Sequence, residues 1–352
     1  MSFALPGRAL LAAALLTAFL PAQAGLLQNL SKGKASKPVE LAAPADAVPL
    51  VELEKPEKLS GQAKFALAAF TVEFQVVARD FDTQFGSTVG SKAKLTLDGV
   101  TPADMQAITD RLYADFLAQM QAQGITLVTP DQLSGSTWER IAKAGKGQTW
   151  EMSAENDKLL LVAPTGQKVI PKHPDEQTER LSWGVSGLSA LSSGTLPQSE
   201  IALAKELGFP VMKAYYVVRF GTADAKALGG GSTTKASVAG LILGDGQTGL
   251  SIRTEKDNPL PGMSRRAPQD GDAFVRLQTS ITTSQNILAG DVRKAGGNQA
   301  LGNAVTWLTG AGSFAGEWVA PLDPVAYGEF AAGTVGAVNA AFALKLKEAA
   351  AK

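Results

Sequence analysis

The stretch "ITDRLYADFLAQMQAQGITLVTPDQL", residues 108–133, runs a helical pattern into a glycine and straight out into a strand. Met105, Ile108, Leu112, Phe116 and Met120 recur at three- and four-residue steps, which gives a helix one apolar stripe. Ahead of them Thr101 stands as N-cap, Pro102 at the first helical position and Asp104 near the positive end of the helix dipole. Gly124 fits the left-handed residue that stops a helix. "ITLVT" then leaves as a strand, closed by Pro130. A stripe of this kind docks a helix on its own sheet. The same grammar returns downstream: Ser199 reads as the cap of "EIALAKELG", Gly208 as its stop, and "PVMKAYYVVRFG" (210–221) as a strong strand.

Working outward, "KFALAAFTVEFQVVA" (64–78) has the aromatic and β-branched density of a strand. Leu67, Ala69, Thr71, Glu73 and Gln75 alternate with Ala66, Ala68, Phe70, Val72, Phe74 and Val76, which predicts a single buried face. "KAKLTLDG" (92–99) is a second strand. "TKASVAGLILGDGQTGLSIRT" reads as strand, tight turn, strand, with Asp245-Gly246 as the turn, and "FVRLQTSITTSQ" (274–285) as another strand. Asp323 caps a closing helix over about 324–350, lined by Val335, Val338, Phe342 and Leu346. "LGGGSTT" (228–234) is a hairpin tip, and "DNPLPGMSRRAPQDGD" (257–272) a surface loop. The expected fold is α/β (α+β): a mixed β-sheet covered by helices, with an antiparallel meander and an insertion at about 135–195.

The first residues carry Arg8, the apolar run "ALLAAALLTAFL" and then "PAQA". This is the pattern of a signal peptide over 1–24, cleaved after Ala24 to leave Gly25 first, too short to span a bilayer. Residues 25–60, rich in Ala, Pro, Lys and Glu, read as a flexible arm or linker, and 61–352 as a single α/β domain. There is no cysteine, which removes disulfides and thiolate ligands and favours a bacterial periplasm, or secretion, over a eukaryotic secretory route. No later run is long and apolar enough for a transmembrane helix. Loss of Arg8 takes the 33 basic residues to 32, against 33 acidic. A near-neutral chain has no basic stripe for nucleic acid.

The pieces "KFALAAFTV", "LYADFLAQMQAQGITLVTPDQL", "IALAKELGFPVMKAYYVVRFG" and "VAGLILGDGQTGLSI" come in an order that resembles a known family. It is the soluble α/β domain of the curli-secretion channel subunit, with its flagellar outer-membrane and TolB amino-terminal relatives. Asp245 and Thr248-Gly249 stand where that family often places an Asp followed by Thr-Gly. The resemblance covers about 64–133 and 198–254. It implies a cell-envelope protein, commonly not an enzyme, that works in assembly, secretion or surface maintenance. The chain departs from it in lacking the lipidation cysteine, in having no obvious pair of long amphipathic hairpins, and in its middle insertion.

No catalytic, cofactor-binding or metal-binding residues stand out. His173, the single histidine, lies in "IPKHPDEQ" without a nucleophile-elbow serine; "GVSGL" (184–188) and "AGSFAG" (311–316) miss the required spacing. "KAGKGQT" (143–149) lacks the glycine spacing of a phosphate loop, and "DGD" (270–272) and "DFD" (80–82) lack a calcium loop. Glu139, Glu151, Glu155 and Glu179 leave open a second reading, a cell-wall hydrolase with its acids in the 135–195 segment. A third is a self-assembling subunit of an oligomeric envelope assembly. Trp138, Trp150 and Trp183 in the same segment are the candidate contacts for a partner, an envelope protein or a cell-wall component.

Overall fold

The computed structural model describes residues 38–352 apart from 84–89, 155–156, 171–194, 229–230, 239, 246, 256–272, 284 and 296–313. His173, Trp183, Glu155, Glu179 and the leader lie outside the described residues. In chain order the strands are β1 (Val39–Glu40), β2 (Val51–Glu54), β3 (Lys64–Thr83), β4 (Gly90–Asp98), β5 (Thr126–Val128), β6 (Thr149–Ala154), β7 (Asp157–Val162) and β8 (Val211–Arg219). They continue as β9 (Thr222–Leu228), β10 (Gly231–Ser237), β11 (Ile242–Leu243), β12 (Gly249–Arg253), β13 (Ala273–Leu277), β14 (Ile281–Thr282), β15 (Arg293–Lys294) and β16 (Phe314–Pro321). The helices are α1 (Pro102–Ala122), α2 (Ser136–Ala144), α3 (Thr195–Leu207) and α4 (Pro324–Ala350). All the strands but the β9–β10 hairpin join one mixed sheet.

β3 organises that sheet. Val72 pairs with Val162 of β7 on one side and Tyr216 of β8 on the other, and Val77 pairs with Lys158 of β7 and Thr96 of β4. So β8 and then β4 follow one edge of β3. Along the other run β5, which is parallel, and then β7, which is antiparallel. A register shift between Leu67 and Ala69 is a bulge, and it moves side chains between faces. Leu67 thereby joins Phe65, Phe70, Val72 and Phe74 in the main core, while Ala68 and Ala69 both lie in a second cluster. The strict alternation read from the sequence is corrected there. So is the expectation of a single buried face: Thr71, Glu73 and Gln75 are buried as well.

α1 takes the form its sequence predicts. Asp104 N donates to Thr101 Oγ1 at 3.2 Å, Thr101 N donates to Asp104 Oδ2 at 2.8 Å, and Gly124 has φ +77. Its five stripe residues, Met105 to Met120, share the main core with β3 and with Val335, Val338, Phe342 and Leu346 of α4. Asn339 of α4, wholly buried, accepts from Tyr216 Oη at 2.5 Å and donates to Asp115 Oδ2 of α1 at 2.8 Å. Burial first, and the Asp115 charge second, hold the Tyr216 phenol well above its ordinary value. It therefore stays a neutral donor in that bridge.

Other expectations change. Ser199 lies inside α3, which begins at Thr195. From Pro38 onward the supposed arm is built into the fold: β2 pairs with β13, and Ala47, Val51 and Leu59 are core residues. The 135–195 segment is not a simple insertion either, because its β7 is a direct neighbour of β3. The two strands expected to form a hairpin across Asp245 do not pair with each other. Ile242 and Leu243 pair with Arg219 and Val218, and Gly249 to Arg253 pair with Tyr215 to Val211, all antiparallel. β11 and β12 are thus one strand line along β8, interrupted by residues 244–248.

Candidate functional site

The second face of the sheet carries the unusual chemistry. Alternation along β8 sends Met212, Ala214, Tyr216 and Val218 into the main core, so Val211, Lys213, Tyr215, Val217 and Arg219 face the other way. All nine residues of β8 are buried. Burying a charge costs several kcal/mol unless it is paired, and pairs are present. Glu200 of α3, 1 % exposed, stands 2.8 Å from Lys213 Nζ and accepts from Arg253 Nε at 2.7 Å. Glu73 of β3 is 2.6 Å from Arg219 Nη2 and accepts from Tyr215 Oη. Gln75 Oε1 takes the Phe220 amide at 3.2 Å, and its Nε2 donates to Asp157 Oδ2 at 2.7 Å.

Burial pushes the Glu200 carboxyl upward, but Lys213 and Arg253 outweigh it and hold the group below its ordinary value. Glu200 is a fixed anion near neutrality. That suits it to orienting two cations rather than to carrying protons, a task that wants a pKa close to the working pH.

Beside these pairs lies a pocket of about 110 Å³, lined by Thr71, Lys213, Tyr215, Thr248 and Ser251 together with the apolar Ile170 and Phe274. The 244–248 excursion forms one side. Gly244 N donates to Val217 O at 2.9 Å, Val217 N to Thr248 Oγ1 at 3.1 Å, and Leu277 N to Thr248 O at 3.0 Å. The threonine hydroxyl thus fills the gap in the β8 ladder that the excursion opens. Gly249 follows because a Cβ there would stand 2.4 Å from the Val275 carbonyl oxygen.

The tryptophans are placed differently from one another. Trp138 packs on the cluster of Ala66, Ile141 and Leu203, and Trp150 on that of Leu159, Tyr215 and Val217, with Lys146 Nζ 5.7 Å from its ring centre. Both are half-buried against the second face, in separate clusters. Of the acids, Glu139 is exposed, and so is Glu151, which is 2.7 Å from Lys158 Nζ. Sequence reading passed over Glu73, Glu200, Lys213, Arg219, Ser251 and Arg253. The available signal was an ionisable residue inside a run too apolar for a solvated strand: Glu73 in "FTVEFQVV", Lys213 and Arg219 in "PVMKAYYVVRF".

Among the described residues no helix is long and apolar enough to cross a membrane. No protein-family model, curated protein or solved structure matches the chain.

Proposed function

We propose that the chain is an exported bacterial cell-envelope protein whose curli-channel-like domain, a mixed sheet covered by helices, works as a non-catalytic binding or assembly module. Its ligand contact is the pocket on the second sheet face, and its partner is an envelope protein or a cell-wall component. One observation carries the reading. Charged groups are buried on β3, β8 and α3, held in ion pairs, beside a small pocket whose lining includes Lys213, Thr71 and Thr248. Preformed sites with a few fixed polar groups among apolar walls are built for recognition, and fixed charges discriminate between ligands. Pairing of Glu73 and Glu200 with cations ties up both carboxylates beside the pocket.

The test is expression of the full chain in a Gram-negative host, followed by incubation of the purified product with cell-wall sacculi. Expected are recovery from the periplasm with Gly25 first and co-sedimentation without release of soluble fragments. Retention of the full-length chain in the cytoplasm would overturn the envelope assignment. Fragment release abolished by Glu139→Gln or Glu151→Gln would replace the module with a hydrolase.

A further inference from the structure

We propose that the outer edge of β6 takes an extended segment of a partner protein as a further antiparallel strand, with carboxylates at the carboxyl end of that segment. The contact is distinct from the pocket, which no residue of β6 lines. Three observations converge on it.

The first is an open backbone edge. β6 pairs with β7 alone, and among the described residues it is the longest strand of the main sheet to have a single partner. Ala163 N donates to Gln148 O at 2.8 Å, so Gln148 and then Trp150 and Met152 turn their backbone groups toward β7. Successive residues of a strand bond to opposite sides, which directs the N–H and C=O of Glu151 and Ser153 outward. Among the described residues no hydrogen bond reaches them. Edge strands are ordinarily blunted by lysine, proline or a bulge. The sequence "TWEMSA" has no lysine or proline, its register with β7 is unbroken, and its one charge, Glu151, is tied to Lys158 at 2.7 Å.

The second is an apolar margin. Trp150 and Met152 pack, half-buried, on the cluster of Leu159, Leu161, Tyr215 and Val217. An added strand sets its alternate side chains beside them on that face. Aromatic and β-branched neighbours across strands are a stabilising pair. Strand addition of this kind draws affinity from main-chain hydrogen bonds and specificity from the side chains.

The third is charge. Lys143 lies in the last turn of α2, Lys146 N donates to Val169 O at 3.0 Å, and a Cβ on Gly145 would stand 2.8 Å from Lys168 Cβ. These contacts gather three exposed lysines at the Thr149 end of β6, and Lys146 Nζ lies 5.7 Å from the Trp150 ring centre. None of the three has an ion-pair partner among the described residues. Within α2, Glu139 is matched by Arg140, so the lysines are a surplus. Antiparallel addition brings the carboxyl end of the incoming segment to that end of β6, where carboxylates meet them; exposed charges of this sort select the partner and its orientation. A second copy fits less well: paired about Glu151 it would set like charges opposite each other. Asp157, just beyond Ala154, is already held by Gln75 and the Arg79 amide.

Residue-resolved amide exchange by NMR on the purified full chain tests it, with acetyl-TVTVTEE-amide as the probe and acetyl-TVTVTQQ-amide as its uncharged counterpart. In the free chain the Glu151 and Ser153 amides should exchange at least about tenfold faster than those of Trp150 and Met152, which bond to β7. The acid-ended peptide is expected to bind with a dissociation constant on the order of 0.1 mM. At ten times that concentration it should slow the outward pair roughly tenfold, because only the free fraction exchanges. Lys143→Gln, Lys146→Gln and Lys168→Gln together break no ion pair among the described residues. The triple variant should keep the wild-type melting temperature, weaken the acid-ended peptide about tenfold and leave the glutamine-ended one unchanged. Glu151→Pro deletes an outward N–H at a place where an edge strand tolerates proline, and it should abolish binding of both. Slow exchange of Glu151 and Ser153 before any peptide is added overturns the proposal. Light scattering on the same sample then gives the edge to a second copy if the mass is that of two chains, or to the chain itself if it is that of one. Equal affinity for the two peptides overturns the lysines as selectors and with them the acidic partner. Unchanged exchange at about 1 mM of either peptide overturns the edge as a docking site.

Discussion

Replacing Glu200 by glutamine removes one negative charge from between two buried cations and changes almost nothing in shape. Lys213 Nζ at 2.8 Å and Arg253 Nε at 2.7 Å would then face an amide. Stranding one side of a buried ion pair costs about 3–5 kcal/mol, because the remaining charge keeps its desolvation penalty. Unfolding entropy of about 2.1 cal/mol/K per residue over roughly 300 residues amounts to about 0.6 kcal/mol per kelvin. The expected fall in melting temperature at pH 7 is therefore about 5–8 °C by scanning calorimetry. Glu54→Gln is the control: its pair with Arg276 spans 3.6 Å between partly exposed side chains. Such a pair is worth about 0–1 kcal/mol, hence a shift below about 2 °C. Acid adds a second arm. The folded-state pKa of Glu200 lies below its ordinary value. Its contribution is present above the unfolded value, about 4.3, and is lost as the pH falls through the lower folded one. The gap between wild type and Glu200→Gln should narrow in that window. Equal melting temperatures for Glu200→Gln and Glu54→Gln at pH 7 would refute the placement of Glu200 as an obligatory buried counter-ion.

Other substitutions probe separate parts of the frame. Asn339→Leu leaves the Tyr216 hydroxyl and Asp115 without their buried partner and should cost about 2–4 kcal/mol in urea unfolding. Gly249→Ala puts a methyl 2.4 Å from the Val275 oxygen, so a loss of about 1–3 kcal/mol and weaker ligand binding are expected together. Thr101→Ala removes the acceptor for the Asp104 amide and should lower stability by about 1 kcal/mol, with ligand binding unchanged.

α1 was legible because everything that specifies it is local: a cap, a proline, a stripe and a stop glycine within two dozen residues. The pocket was not. Thr71, Glu73 and Gln75 alternate with apolar neighbours as a solvated face would, and the partners of buried Glu73 and Gln75, among them Arg219, Tyr215, Asp157 and the Phe220 amide, lie far along the chain. The Asp245-Gly246 signal failed for a related reason. A local turn preference yielded to pairing along β8, which takes the chain on both sides of the excursion into one antiparallel line. Trp138 and Trp150 drew attention as partner contacts and pack on the second face, while the ionisable residues of that face are set into the apolar strands beside them.

The partners of β3 also impose an order of events. Phe65 and Ala66 must wait for Leu127 and Val128 on one edge, and Ala66 to Phe74 for Val211 to Val218 on the other. β2 is not closed until Phe274 to Leu277 have emerged. Pairings this distant in sequence make folding slow. Until β8 emerges, after β4, β5 and β7, the Ala66–Phe74 part of a twenty-residue strand dense in Ala, Val and Phe has one open backbone edge. An open apolar strand is the template on which chains aggregate. The segment that anchors the finished sheet is therefore the one most in need of a chaperone while the molecule is being made, and the arrival of β8 ends the danger.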